Sequence, residues 1–248
     1  MPCLIGADLQ TRGRGRNQHA WWTARGGLTF SLLLEPERFG IHPHQWPLLS
    51  IATGLSICRL LERELPEPGS AGLLQPQPKS FTRHKILAGR EDPECLQYEV
   101  RLKWPNDVYV NGRKICGILL ETIPEFPTVL IVGIGLNVNN SISTAGTELQ
   151  RTATSLRDLT GDWADRTEIL LRSLRVFEEE LQGLGQNDPT FIPRCRKRCY
   201  LTGRRLEVRD VLTELAGTCL GIDDDGALRI MTESGPQRIF AGEILRID

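Results

Sequence analysis

Asn111-Gly112 stands between two apolar-rich stretches, Asp107-Val-Tyr-Val and Arg113-Lys-Ile-Cys-Gly-Ile-Leu-Leu-Glu. An Asn-Gly link of two residues favours positive φ at both positions, so it predicts a tight hairpin and an antiparallel sheet around it. Residues 3–7, 28–34 and 128–138 read as further strands, the last interrupted by Gly133 and Gly135. Val100-Arg-Leu-Lys-Trp alternates as a strand that Pro105 ends. Apolar positions at Leu48, Ile51, Ala52, Leu55, Cys58 and Leu61 predict a helix over 45–65, which Pro66-Glu-Pro-Gly-Ser stops. A second helix is expected from Trp163 to Leu184, with Ile169, Leu170, Leu174, Phe177 and Leu181 on one face. Residues 66–98 carry Pro, Gln, Gly, Lys and Arg without periodicity and read as an inserted surface loop.

After Pro193 the pattern changes to short strands at Arg205–Val208, Leu215–Ile222, Ala227–Met231, Gln237–Phe240 and Ile244–Ile247. Strands this short and closely spaced predict a small barrel-like unit. The expectation is therefore an α+β chain in two parts, 1–193 and 194–248. Neither an internal repeat nor a helix-turn-helix is found. The cluster Arg194, Arg196, Lys197, Arg198, Arg204 and Arg205 reads as a solvated linker between the parts, with an acidic protein surface as the alternative.

With 248 residues the chain can bury a sizeable core, and a net charge of −1 excludes a bulk polycation built for nucleic acid. No apolar run is long enough to span a bilayer, and Met-Pro-Cys-Leu-Ile-Gly-Ala-Asp lacks the features of a signal peptide. The cysteines at 3, 58, 95, 116, 195, 199 and 219 have no disulfide rhythm, and no second Cys/His pair joins Cys195 and Cys199 as a zinc site. Free thiols in a reducing cytoplasm are expected.

Three constellations carry chemistry. In Gln10-Thr-Arg-Gly-Arg-Gly-Arg, glycines allow close backbone approach and arginines supply forks for phosphate or carboxylate. No Gly-Lys-Ser/Thr follows, so it is not a Walker loop, and His19 stands where a dinucleotide fingerprint needs its third glycine. Taken alone it reads equally as a solvated basic loop. Lys103-Trp-Pro-Asn-Asp107 ends a strand at a loop edge, where scaffolded sites tend to lie; the plain alternative is an exposed lysine before turn residues. Gly133-Ile-Gly-Leu-Asn137 suggests close approach of a ligand or another backbone, or a bulge in a core strand.

In this order, together with Trp21-Trp22, Arg113-Lys-Ile-Cys-Gly-Ile-Leu-Leu-Glu, Ala153-Thr-Ser-Leu and Gly221-Ile-Asp-Asp-Asp-Gly-Ala-Leu, these stretches resemble the biotin–protein ligase family. The resemblance implies a mixed sheet flanked by helices, the class II synthetase-like or biotin–lipoate ligase fold, with an SH3-like barrel at the carboxyl end. It implies formation of biotinyl-5′-adenylate from biotin and Mg-ATP, then transfer of biotin to a lysine of a biotin carboxyl carrier domain. By the same resemblance, Lys103 and Arg16 are catalytic, and Gln10, Arg14, Gly15, Arg16 and Lys103 bind biotin. Arg14, Trp21, Asn106 and Asn137 face the nucleotide, Asp107 contacts magnesium, and Arg113-Lys114 lies where the hairpin approaches the nucleotide. A cytoplasmic enzyme without DNA or membrane partners is expected, and a homodimer is left open.

The chain departs from the family twice. The family places a helix and a Ser-Thr-Asn turn before the arginine loop as one wall of the biotin pocket, and no Ser-Thr-Asn precedes residue 10. Polar groups for the ureido ring are therefore expected to be fewer here. At Asn17-Gln-His19 the family loop usually carries another glycine. Rival readings are a lipoate ligase or octanoyltransferase of the same superfamily, and a non-catalytic binding module using Arg12, Arg14 and Arg16 beside Trp21 and Trp22.

Overall fold

The computed structural model describes residues 3–66, 98–210 and 213–248, so the stretch expected as an inserted loop lies outside it but for residues 66 and 98. The first sheet comprises β1 (Cys3–Ala7), β2 (Leu28–Leu34), β3 (Val100–Lys103), β4 (Asp107–Val110), β5 (Arg113–Ile123) and β6 (Phe126–Leu136), in the spatial order β1-β2-β6-β5-β4-β3. Its ladders run antiparallel, and isolated parallel bridges add Cys199 beside Leu102 and Ala153 beside Lys114. Asn111 and Gly112 adopt φ of 50° and 75°, as the Asn-Gly hairpin requires.

Register gives this sheet two unlike faces. Phe30, Ile134 and Ile118 form one cross-strand row, Leu28, Leu136 and Cys116 another, and all are buried. They belong to the core that also takes in α1 (Trp46–Glu64), which packs against α4 (Arg166–Gly185). Gly54 costs α1 about 1 kcal/mol of helix propensity relative to Ala. A Cβ there would collide with Leu102 of β3, so the missing side chain lets helix and sheet approach closely. The other face carries the rows Thr29-Gly135-Gly117 and Ser31-Gly133-Leu119.

Two short helices, α2 (Thr147–Thr152) and α3 (Leu156–Thr160), were too brief to show a period in the sequence. Ala153-Thr-Ser-Leu joins them: Thr154 N–H donates to the Lys114 carbonyl (2.9 Å), and Ser155 Oγ accepts from Asp158 N–H (3.1 Å) to cap α3. The second expected helix starts at Arg166 rather than Trp163, because Asp165 is its cap and accepts from Thr167 N–H and Glu168 N–H.

The short strands form β7 (Arg205–Arg209), β8 (Glu214–Ile222), β9 (Leu228–Thr232), β10 (Gly235–Ile239) and β11 (Glu243–Ile247), ordered β10-β9-β8-β7-β11. Leu206, Val208, Cys219, Ile222, Leu228, Ile230 and Ile239 face its interior. The described pairings form an open antiparallel ladder. Trp104 joins this unit to the first, since its buried indole Nε1 donates to the Gly226 carbonyl (3.0 Å). Gly226 has φ 88°, and a Cβ there would lie 2.9 Å from Leu48 of α1.

The expected boundary at 193/194 falls inside α5 (Phe191–Arg198). Nor is the basic cluster a solvated linker: its arginines tie α5 to acids on several sides. Arg198 forks onto Glu62 (2.8 Å), and Arg196 reaches Asp224 (2.8 Å). Arg194 Nη1 and Arg59 Nη1 each lie 2.6 Å from the fully buried Glu180 carboxylate. Arg194, Arg196 and Arg198 are thereby engaged inside the protein rather than left for an acidic partner. Glu180→Ala leaves both guanidinium groups facing a cavity, and unfolding in denaturant should show a loss of about 3 kcal/mol. A change below about 1 kcal/mol would mean that the clamp across α1, α4 and α5 is a surface ornament.

Candidate active site

Gln10 to Thr23 form a doubled-back loop over the sheet's glycine-bearing face. Trp21 N–H donates to the Gly13 carbonyl (2.9 Å), and Gly15 N–H to the His19 carbonyl (2.7 Å). Gln10 N–H and carbonyl both engage Thr23 Oγ1 (3.2 and 2.9 Å). The reversal uses Asn17 at φ 49°, ψ 38°. Asparagine tolerates this left-handed region better than most residues, which accounts for a loop that closes without another glycine in 17–19.

The close approach inferred for the strand glycines is made by Trp21. A Cβ on Gly135 would sit 2.6 Å from its Nε1 and Cζ2, and one on Gly117 would sit 2.9 Å from Cζ3. Gly117 and Gly135 are direct cross-strand partners, so together they bare a patch on which the indole lies. Gly133 has ordinary clearance from Leu119 and Ser31 instead, and widens the floor beside it.

Between loop and floor lies a cleft of about 350 Å³. Gln10, Arg14, Gly15, Arg16, Trp21, Lys103, Asn106 and Asp107 all line it. The Trp-Pro-Asn turn under it is pinned from several sides. Ser50 Oγ donates to the Pro105 carbonyl (3.0 Å), Asn106 Nδ2 donates to the Ile118 carbonyl (2.6 Å), and Ile118 N–H donates to the Asn106 carbonyl (2.9 Å). Lys103 therefore extends from a strand whose end cannot drift.

Each cation meets a modest partner. Lys114 Nζ lies 2.7 Å from Asp107 Oδ1 and 5.5 Å from the Trp21 ring centroid. Arg14 Nη2 is 3.4 Å from Glu121 with most of its side chain in solvent, and Arg16 Nη1 is 3.5 Å from Asn106 Oδ1. Burial pulls the pKa of Arg16 below the usual arginine value, and Asp107 and Glu243 oppose that pull. The Arg14 pair, long and largely in solvent, is readily exchanged for a ligand anion.

Asn137 does not join this group. It is buried, with Nδ2 on the Thr154 carbonyl (3.0 Å) and Oδ1 accepting from Asn140 (2.9 Å), so its amide anchors the end of β6 rather than facing the cleft. The sequence reading also missed a contribution from the carboxyl-terminal sheet. Gly242, Glu243 and Ile244 line the cleft, and His19 Nε2 lies 2.8 Å from Glu243 Oε1. No local signal marks a contact across 224 positions.

The model of the biotin/lipoate A/B protein ligase family matches residues 1–139, and that of the biotin protein ligase C terminal domain matches residues 203–246. The bifunctional ligase/repressor BirA of Bacillus subtilis is 29% identical over 245 residues, which are 97% of this chain and 65% of that protein. The chain thus spans about two thirds of that relative. The biotin–(acetyl-CoA-carboxylase) ligase of Mycobacterium tuberculosis is 29% identical over 97% of this chain and 77% of its own length. Among solved structures, the biotin protein ligase from Aquifex aeolicus in complex with biotin and ATP aligns at TM-score 0.75 and 30% identity, covering 99% of this chain and 89% of that one. With its arginine loop, its Lys-Trp-Pro-Asn-Asp turn and both parts matched, the chain belongs to the biotin/lipoate A/B protein ligase family and carries the biotin protein ligase C terminal domain.

Proposed function

We propose that this chain joins biotin to a protein lysine through biotinyl-5′-adenylate. The observation that carries the reading is the convergence of Lys103, Arg14 and Arg16 on one cleft beside an aromatic ring laid over bare glycines. In the first step a biotin carboxylate oxygen attacks the α-phosphorus of ATP, and the bond to the leaving pyrophosphate breaks. In the second a carrier lysine, as the free amine, attacks the acyl carbon. The acyl–oxygen bond breaks, AMP leaves and the new amide nitrogen loses a proton.

The first step brings two anions together and the second builds charge on the departing phosphate oxygen, and the residues suit both tasks. Lys103 would touch the carboxylate and the α-phosphate and stabilise charge developing on the phosphorus oxygens. Arg14 and Arg16 would cover the mixed anhydride and keep water from it. Gln10 would hydrogen-bond the biotin head, Trp21 would lie beside adenine, and Gly15 would let the loop backbone approach. Asn106 would orient Arg16 through the contact it already makes.

Magnesium accompanies ATP in this reading. Among the described residues no three Asp, Glu, His or Cys side chains cluster as a metal cage. The donor set fits an ion held by phosphate oxygens and water with one protein carboxylate, and Asp107 would supply it. The ion would neutralise phosphate charge.

Biotin-dependent exchange of pyrophosphate into ATP tests the reading against its superfamily rival: exchange supported by lipoate and not by biotin would overturn it. Lys103→Ala should lower biotin-dependent exchange by roughly 10²- to 10³-fold with the melting temperature kept. For Arg16→Ala the expected outcome is a leaky enzyme that releases adenylate and labels lysines of a bystander protein; labelling confined to the carrier would contradict the loop's role. Gly135→Ala should push the indole off its patch and raise KM for ATP about tenfold, equivalent to ~1.4 kcal/mol. An unchanged KM would separate Trp21 from the nucleotide.

A further inference from the structure

We infer that Tyr109 is the positioning residue for Lys103, an inference that rests on the ligase reading above. Lys103 Nζ donates to Tyr109 Oη at 3.2 Å and lies 5.1 Å from the centroid of that ring. Among the described residues this is the hydrogen bond that the ammonium makes within the protein. The cross-strand partner of Lys103, Asp107, is engaged by Lys114 at 2.7 Å. Tyr109 lines none of the cleft while Lys103 and Asp107 do, so the phenol stands behind the lysine rather than beside the substrate.

Three features aim the phenol. The β4–β5 register shifts between Val108 and Tyr109, the kind of irregularity that redirects a side chain next to a site. Val108 on one side of the shift is fully buried, so the backbone there has no freedom to swing. The Tyr109 ring then stacks on Tyr200, with centroids 5.1 Å apart and 24° between planes. Tyr200 is itself fixed: its N–H donates to the Leu102 carbonyl (2.8 Å), and Arg204 covers its ring at 4.3 Å while donating Nε–H to the Tyr200 carbonyl (2.9 Å). Lys103, Tyr109, Tyr200 and Arg204 thus form a column from the cleft to the start of the carboxyl-terminal sheet.

The column answers a physical need. A lysine side chain carries about 2 kcal/mol of rotamer entropy, and a group that stabilises a transition state must be in place beforehand. An aromatic face with a hydroxyl at its edge offers the ammonium a fixed seat without a counter-charge that would cancel it. Burial, with Asp107 nearby, pushes the Tyr109 hydroxyl up to about 12, so it remains a neutral acceptor at working pH.

The test uses the full chain and biotin-dependent pyrophosphate exchange. Tyr109→Phe keeps the ring and its stack but removes Oη. The turnover rate should fall about tenfold, the loss of one modest hydrogen bond, with KM for biotin and for ATP within about twofold and the melting temperature unchanged. Tyr200→Leu leaves Oη but removes the backing ring, and should lower turnover in the same way by a smaller factor. Parent turnover in Tyr109→Phe overturns the inference. So does a loss that appears in KM and melting temperature instead, because that marks a merely structural role. Lys103→Ala separates the two levels. If it abolishes exchange while Tyr109→Phe matches the parent, only the positioning role fails; if it exchanges at the parent rate, the ligase reading itself fails.

Discussion

The indole of Trp21 lies where the side chains of residues 117 and 135 would otherwise be, and the rest of the site depends on that approach. One face of the first sheet is committed to the core through Phe30, Ile118 and Ile134. The opposite face can hold a ligand only if its side chains are cut back. Paired glycines at 117 and 135 remove them, and Gly133 extends the trough. The arginine loop inherits its height from this residue: the Gly13 carbonyl accepts from the Trp21 backbone N–H, and Thr23 ties the end of the loop back to Gln10. Placing Arg14 and Arg16 above a floor is thus a consequence of where the tryptophan rests.

Charge is arranged to be lent rather than spent. Deep in the protein, arginines are locked onto carboxylates, as at Glu180, where removal of a partner leaves a costly buried charge. Around the cleft the pairings are looser. Arg14 is mostly in solvent on Glu121, and Arg16 makes only a 3.5 Å contact. An exposed pair such as Arg14–Glu121 contributes about 0–1 kcal/mol, so an incoming phosphate or carboxylate displaces it at little cost. The same residue type therefore serves as a rivet in one place and as a receptor in another, and burial decides which.

Local chemistry was largely legible in the sequence, and distance was not. Asn111-Gly112 announced its turn, α1 its period, and the short strands after Pro193 their alternation. Most of the residues expected in the site converge, because the arginine loop and the Lys-Trp-Pro-Asn-Asp turn are each local devices carried on strands. Asn137 strayed because a buried amide with satisfied partners looks the same in a sequence as one facing a ligand. The basic run around 194–198 looked solvated because its acids, Glu62, Glu180 and Asp224, stand on other elements that only the fold brings to it. Glu243 and His19 meet only because the second sheet docks on the first through Trp104 and Gly226.

On the proposed function, the cleft holds the joined acyl-adenylate rather than biotin or nucleotide alone. Calorimetric titration of the full chain with a non-hydrolysable sulfamoyl analogue of biotinyl-5′-adenylate addresses it directly. The titration should show one site per chain and an affinity at least roughly 100-fold above that for biotin, because linked halves bind at high effective concentration. An affinity no greater than biotin's own would contradict it.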